Sequence, residues 1–83
     1  MKIELNENKY YKSSDLALCA ALCCKGYVIE YVDKQNPKRA IFWVKNNNKL
    51  EEIIKSYWSR SLSVDPIAFF NILKELKARI YAS

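Results

Sequence analysis

An 83-residue chain that is 51% hydrophobic, with one glycine and two prolines, has room for one modest core and is neither a disordered tail nor a disulfide scaffold. Its 14 Lys and Arg outnumber 9 Asp and Glu, giving a formal net charge of +5, and it has no histidine, so the commonest general base near neutral pH is missing. The first eight residues carry charges and no apolar run, and no stretch approaches the roughly 20 apolar residues of a membrane span, which predicts a cytoplasmic protein with no membrane contact.

Residues 1–8 are expected to be loosely held, and residues 9–12 read as a short strand. Ser13, Ser14 and Asp15 form a helix-cap cluster. The helix they open, over residues 16–25, is stopped by Gly26. It is apolar on all sides and dense in alanine and cysteine, the composition of a central helix that lets its neighbours approach closely. Residues 27–33 and 39–45 are rich in β-branched and aromatic side chains and flank a turn at residues 34–38, so an antiparallel hairpin is the natural pairing. Period two sets Ala40, Phe42 and Val44 on one face and Ile41 and Trp43 on the other. Both faces are apolar. One should pack on the helices, leaving the other for the third helix, a partner or a second copy of the chain.

Asn46, Asn47 and Asn48 supply the next cap, with Asn48 and Glu51 spaced as a variant capping box. The second helix carries Leu50, Ile53, Ile54, Tyr57 and Trp58 at core spacing. Residues 59–63 break it, and Leu62 and Val64, alternating with serines, suggest an edge strand. Asp65 before Pro66 is a strong helix start, because a carboxylate caps free N–H groups and proline is tolerated at the first helical position. Phe69, Leu73, Leu76 and Ile80 then form a core stripe, with Ile72 at its margin. The expected fold is a single α+β domain over residues 1–83: an antiparallel hairpin, extended to three strands if a short strand candidate pairs, packed with three helices in the order (β)-α-β-β-α-α.

Signals for catalysis are weak. Cys19, Cys23 and Cys24 are an odd cluster on one helix, a poor disulfide framework. A metal site needs about four ligands, and Cys24 points about 100° away from Cys23, so small buried hydrophobes are the better account. A lone glycine excludes a Gly-rich phosphate loop. No enzyme activity, cofactor, metal or small-molecule substrate is therefore expected.

The run Ser13-Ser14-Asp15-Leu16-Ala17-Leu18, the Gly26-Tyr27 helix exit, the Asn36-Pro37-x-Arg39 turn, and Tyr57-Trp58 leading into Val64-Asp65-Pro66 resemble a bacterial domain-of-unknown-function family, the one numbered 5659. The resemblance extends over residues 10–81, and Phe69-Phe70, Leu73-Lys74, Leu76-Lys77 and Arg79-Ile80-Tyr81 fit the family's ending. It implies a small single-domain protein of mobile elements or phages, and no substrate or catalytic residue. Ile67 departs from the pattern, which has a basic residue after Pro66.

Charge is the remaining clue. Residues 34–60 hold Lys34, Lys38, Arg39, Lys45, Lys49, Lys55 and Arg60 against Glu51 and Glu52, so this window carries the whole +5. Lys34, Lys38, Arg39, Lys45 and Lys49 are expected to face a phosphate backbone. A second strip on the last helix sets Lys74 and Lys77 beside Phe70 and Tyr81, within about 60° of one another at 100° per residue. With no recognition motif and three arginines in all, nucleic-acid binding should be weakly sequence-selective and salt-dependent. The competing expectation is a protein-interaction module, a homodimer or an inhibitor or adaptor of a host complex, using Tyr31, Ile41, Trp43, Tyr57 and Trp58.

Overall fold

The structure is a computed structural model that describes residues 9–36 and 38–81. The segment expected to be loosely held, residues 1–8, lies outside the described residues. The chain runs β1 (Tyr10–Ser13), α1 (Leu16–Cys24), β2 (Ile29–Asp33), β3 (Ile41–Lys45), α2 (Leu50–Trp58) and α3 (Pro66–Tyr81). This is the expected α+β class and order, with the strand near residues 9–12 present as β1. The three strands form one antiparallel sheet in the order β1-β3-β2. β3 is therefore the middle strand, with Lys12 and Tyr31 opposite Trp43 and with Ser13 and Val32 opposite Phe42. A bulge between Ile29 and Tyr31 adds Glu30 to β2 and turns it outward with Tyr31.

The core lies on the inner face of the sheet. Ile29, Phe42 and Val44 join Leu18, Cys19, Ala20 and Leu22 of α1, Leu50 of α2 and Leu76 of α3 in one buried cluster. Five consecutive residues of α1, from Leu18 to Leu22, are buried, as the all-round apolar pattern requires. Phe69, Ile72, Leu73 and Ile80 of α3 pack against this cluster, so the stripe read from the sequence is the helix's inner face.

Local chemistry sets the helix ends. The Leu18 N–H donates to Asp15 Oδ1 at 3.1 Å, and the Ala68 N–H donates to Asp65 Oδ2 at 2.8 Å. At the end of α1 the Gly26 N–H donates to the Cys23 carbonyl and the Tyr27 N–H to the Leu22 carbonyl, a Schellman pair with Gly26 at φ +96°. The end of α2 repeats the motif with an arginine. The Arg60 N–H donates to the Tyr57 carbonyl and the Ser61 N–H to the Ser56 carbonyl, and Arg60 takes φ +65°.

Two opposite substitutions test these ends. Arg60→Gly should stabilise the fold by about 1 kcal/mol, because a left-handed residue with a Cβ costs roughly that much. Gly26→Ala should destabilise it by a similar amount, although nothing lies within 4 Å of the added Cβ, since the strain is in the backbone. At this chain length each change should move the melting temperature by about 4–8 °C, in opposite directions. Equal signs would reject the assignment of these caps.

Three expectations are corrected. Asn48 does not cap α2. The N-cap position is Lys49, with no side-chain bond, and Asn47 closes the preceding turn by accepting from the Lys49 N–H at 3.0 Å. Asn47 Oδ1 also accepts from the Tyr27 hydroxyl at 2.7 Å, a contact between elements that local spacing does not encode. Residues 61–65 form no strand, and Leu62 and Val64 are half-buried along an extended link. Trp58 is 62% exposed and does not share the core face of Leu50, Ile53, Ile54 and Tyr57.

Candidate nucleic-acid interface

Three of the predicted phosphate-facing residues come together at the β2–β3 turn. The Arg39 N–H donates to the Asn36 carbonyl at 3.0 Å and the Lys38 N–H to Asn36 Oδ1 at 2.9 Å, which fixes the turn. Below it lies a notch of about 330 Å³ lined by Lys34, Lys38, Arg39 and Ser14, with Phe42, Ile80 and Tyr81 supplying its apolar wall. Arg39 Nε donates to Ser14 Oγ at 3.0 Å, so the guanidinium is held against the end of β1. Lys34 Nζ donates to the Arg79 carbonyl at 3.1 Å and straps the turn to the last turn of α3, where a cation also suits the helix dipole. No carboxylate lines the notch among the described residues.

The other predicted cations do not join this group. Lys45 and Lys49 sit at the opposite end of β3, a five-residue strand that spans about 17 Å. Lys45 there shares a shallow depression with Tyr27, Asn47 and Glu30, so a carboxylate accompanies it. The single patch of Lys38, Arg39, Lys45 and Lys49 is therefore two separate places. Lys74 and Lys77 are exposed on α3, and so are Phe70 (59%) and Tyr81 (83%), so that strip exists as an outward face. Tyr81 links it to the notch.

The predicted protein-contact residues also divide. Ile41, Trp43 and Tyr31 lie on the outer face of the sheet, which no described helix covers. Tyr57 packs against the core cluster, and Trp58 stacks edge-on against it at 5.0 Å, so these two belong to α2 and not to the sheet face. The sequence reading missed Tyr10 and Lys12. Tyr10 lies 5.6 Å and Tyr31 5.5 Å from Trp43, centroid to centroid, and Lys12 Nζ sits 4.4 Å above the Trp43 ring. Only the pairing of β1 with β3 makes that group. The Tyr10 hydroxyl donates to Glu30 Oε1 at 2.9 Å, and this bond to a carboxylate pushes the phenol's pKa up.

The cysteines behave as packing groups. Burial, aided by nearby Cys23, pushes the Cys19 thiol up to about 12, and burial also raises Cys23 and Cys24. None has the depressed value of a reactive thiolate. The folded state thus holds Cys19 protonated where an unfolded chain would ionise it. Its contribution to stability is complete below the ordinary thiol range and falls as pH rises from there toward about 12. Alkylation of Cys19 at pH 8 is accordingly expected to follow the unfolding rate, and mass spectrometry would show it labelled last. Prompt labelling in the native protein would contradict the burial.

Among the described residues no helix is long and apolar enough to cross a membrane. A family model described as a domain of unknown function (DUF5659) matches residues 8–82, nearly the whole chain, and the chain belongs to that family. No curated protein and no solved structure matches it.

Proposed function

We propose that this DUF5659 chain is a non-enzymatic, cytoplasmic module that binds nucleic acid by its phosphate backbone at the β2–β3 turn. The observation that carries the reading is the notch: Lys34, Lys38 and Arg39 share one concavity with no carboxylate in its lining among the described residues. Such a group attracts phosphate by charge, and a planar guanidinium beside it pairs with phosphate oxygens through two N–H groups. Ser14 and Asn36 add neutral polar groups, and the exposed ring of Tyr81 extends the notch toward Lys77 and Lys74 along α3. Contacts of this kind position a backbone and read no sequence, so affinity should be similar across sequences and fall steeply with salt.

The test is fluorescence anisotropy with labelled single-stranded and duplex oligonucleotides from about 50 to 200 mM salt, the range over which phosphate binding weakens most visibly. Micromolar or tighter binding at low salt, weakened on reversal of Lys38 and Arg39 to Glu, is the expected result. No binding at low salt would reject the reading. A second reading, a protein-interaction module, is favoured by one observation: the outer sheet face exposes Tyr31 beside Trp43 with no described helix over it.

A further inference from the structure

The notch does not end at the β2–β3 turn. Tyr81, which forms part of its wall, is 83% exposed and begins a strip that runs back along the outward side of α3 through Lys77 and Lys74 to Phe70. At 100° per residue these four side chains fall within about 60° of one another, and at 1.5 Å per residue they span about 16 Å. Rings stand at both ends and ammonium groups between them. Glu75, the one carboxylate of α3, lies about 100° or more round the helix from every member of the strip. Phe70 is 59% exposed and meets Phe69 edge to face at 5.8 Å. Phe69 packs on the core cluster, so the outward ring has a fixed neighbour behind it. We propose that the notch and this strip together hold a single-stranded nucleic acid. One phosphate lies against Lys38 and Arg39, the adjoining base stacks on the Tyr81 ring, the following phosphates meet Lys77 and Lys74, and a further base reaches Phe70. The proposal rests on the nucleic-acid reading above and specifies the strandedness of the ligand.

Charge and shape select this occupant. Lys34, Lys38 and Arg39 at the turn and Lys77 and Lys74 on α3 follow one another, and no carboxylate interrupts them in the notch lining or on the strip among the described residues. A series of one sign repels a second copy of the same face and suits a polyanion. The two places are joined. Lys34 Nζ donates to the Arg79 carbonyl at 3.1 Å, which holds the turn against the last turn of α3 and puts Tyr81 in the same concavity as Arg39. A flat lipid surface meets the strip but does not enter the notch. Strandedness follows from Tyr81. Phosphate contacts alone serve single strands and duplexes alike. A ring beside them adds to binding only where an unstacked base can reach it, and the bases of a duplex are paired and stacked inside. The notch, at about 330 Å³, is at the small end of the roughly 300–1,000 Å³ of ligand sites, so it admits one nucleotide unit and not the width of a duplex. Tyr81 is not among the side chains that pack on the core, so folding does not account for an aromatic residue at this place.

The experiment uses the full chain and fluorescence anisotropy with labelled oligo(dT) and with a duplex of equal length, at about 50 mM salt. Tyr81→Ala should weaken oligo(dT) binding by about 5- to 100-fold, the effect of losing one stacked base, and leave duplex binding unchanged. Tyr81→Phe keeps the ring and should bind both ligands as the parent does. Since the side chain is largely exposed and outside the core, circular dichroism and melting of both variants should stay near the parent's. Equal weakening of both ligands by Tyr81→Ala, or unchanged oligo(dT) affinity while both ligands still bind, would overturn the stacking and leave the notch reading intact. Failure of both oligonucleotides to bind would overturn the notch reading as well. Binding to vesicles containing phosphatidylserine that Tyr81→Ala weakens, with oligo(dT) affinity unchanged, would also overturn the proposal and assign the strip to a membrane surface.

Discussion

Phe42→Ala is expected to lower the stability of the domain by about 3–5 kcal/mol, measured as a fall in the urea midpoint at unchanged slope. Phe42 is 1% exposed and heads the fully buried side chains by size. It sits on the middle strand, opposite Ser13 of β1 and Val32 of β2, and faces the apolar cluster of α1. Removing the ring leaves a cavity that three elements must close at once, and a middle strand paired along both edges has little freedom to do so. A domain of this length has about 4–12 kcal/mol of stability in total, so the variant should be partly unfolded at 37 °C. Ile67→Ala is the comparison. Ile67 is 72% exposed, and its truncation should change stability by no more than about 0.5 kcal/mol. A loss below about 1 kcal/mol at Phe42 would mean that β3 does not anchor the core. The same ring forms part of the notch wall, so the residue that holds the sheet to the helices also supports the candidate phosphate site.

Much of this fold is legible because the decisive contacts are local. Asp15 and Asp65 reach N–H groups three residues on, α1 ends where the Gly26 N–H bonds Cys23 and the Tyr27 N–H bonds Leu22, and the stripe of α3 repeats at helical spacing. The alternation of Phe42 and Val44 against Trp43 follows from the pleat alone. What escapes is long-range. Pairing of β1 with β3 brings Tyr10 and Lys12 to Trp43 from a distant part of the sequence, so the aromatic row cannot be seen from any one segment. Asn47 replaces Asn48 as the polar hinge before α2 because its side chain also serves the Tyr27 hydroxyl. The cations behave in the same way. Lys38, Arg39, Lys45 and Lys49 look like one cluster in sequence, yet an extended strand of five residues separates them into two ends of the sheet. Arg39 gains its partner from Ser14, 25 residues away.

That separation gives the second large effect. Reversing Lys38 and Arg39 together to Glu should weaken oligonucleotide binding by at least about tenfold and lower the slope of log K against log salt by about 2, one for each phosphate no longer neutralised. The comparison is the Lys49→Glu, Lys55→Glu double variant, which changes net charge by the same amount. Lys49 lies beyond the far end of β3 and Lys55 on α2 lies 3.9 Å from Glu51. The strand length of about 17 Å is about two Debye lengths at physiological ionic strength, so charges there act weakly on a ligand held at the turn. Affinity for the second variant should fall by no more than about threefold at that ionic strength, with its salt slope preserved. All four side chains are exposed, so both variants should keep close to the parent's melting behaviour, the first losing the Arg39–Ser14 bond and the second the exposed Lys55–Glu51 pair, worth a few tenths of a kcal/mol. Equal weakening in the two variants would show that net charge alone draws the ligand and would remove the notch from the account. Weakening confined to the turn would place the phosphate backbone against Lys38 and Arg39.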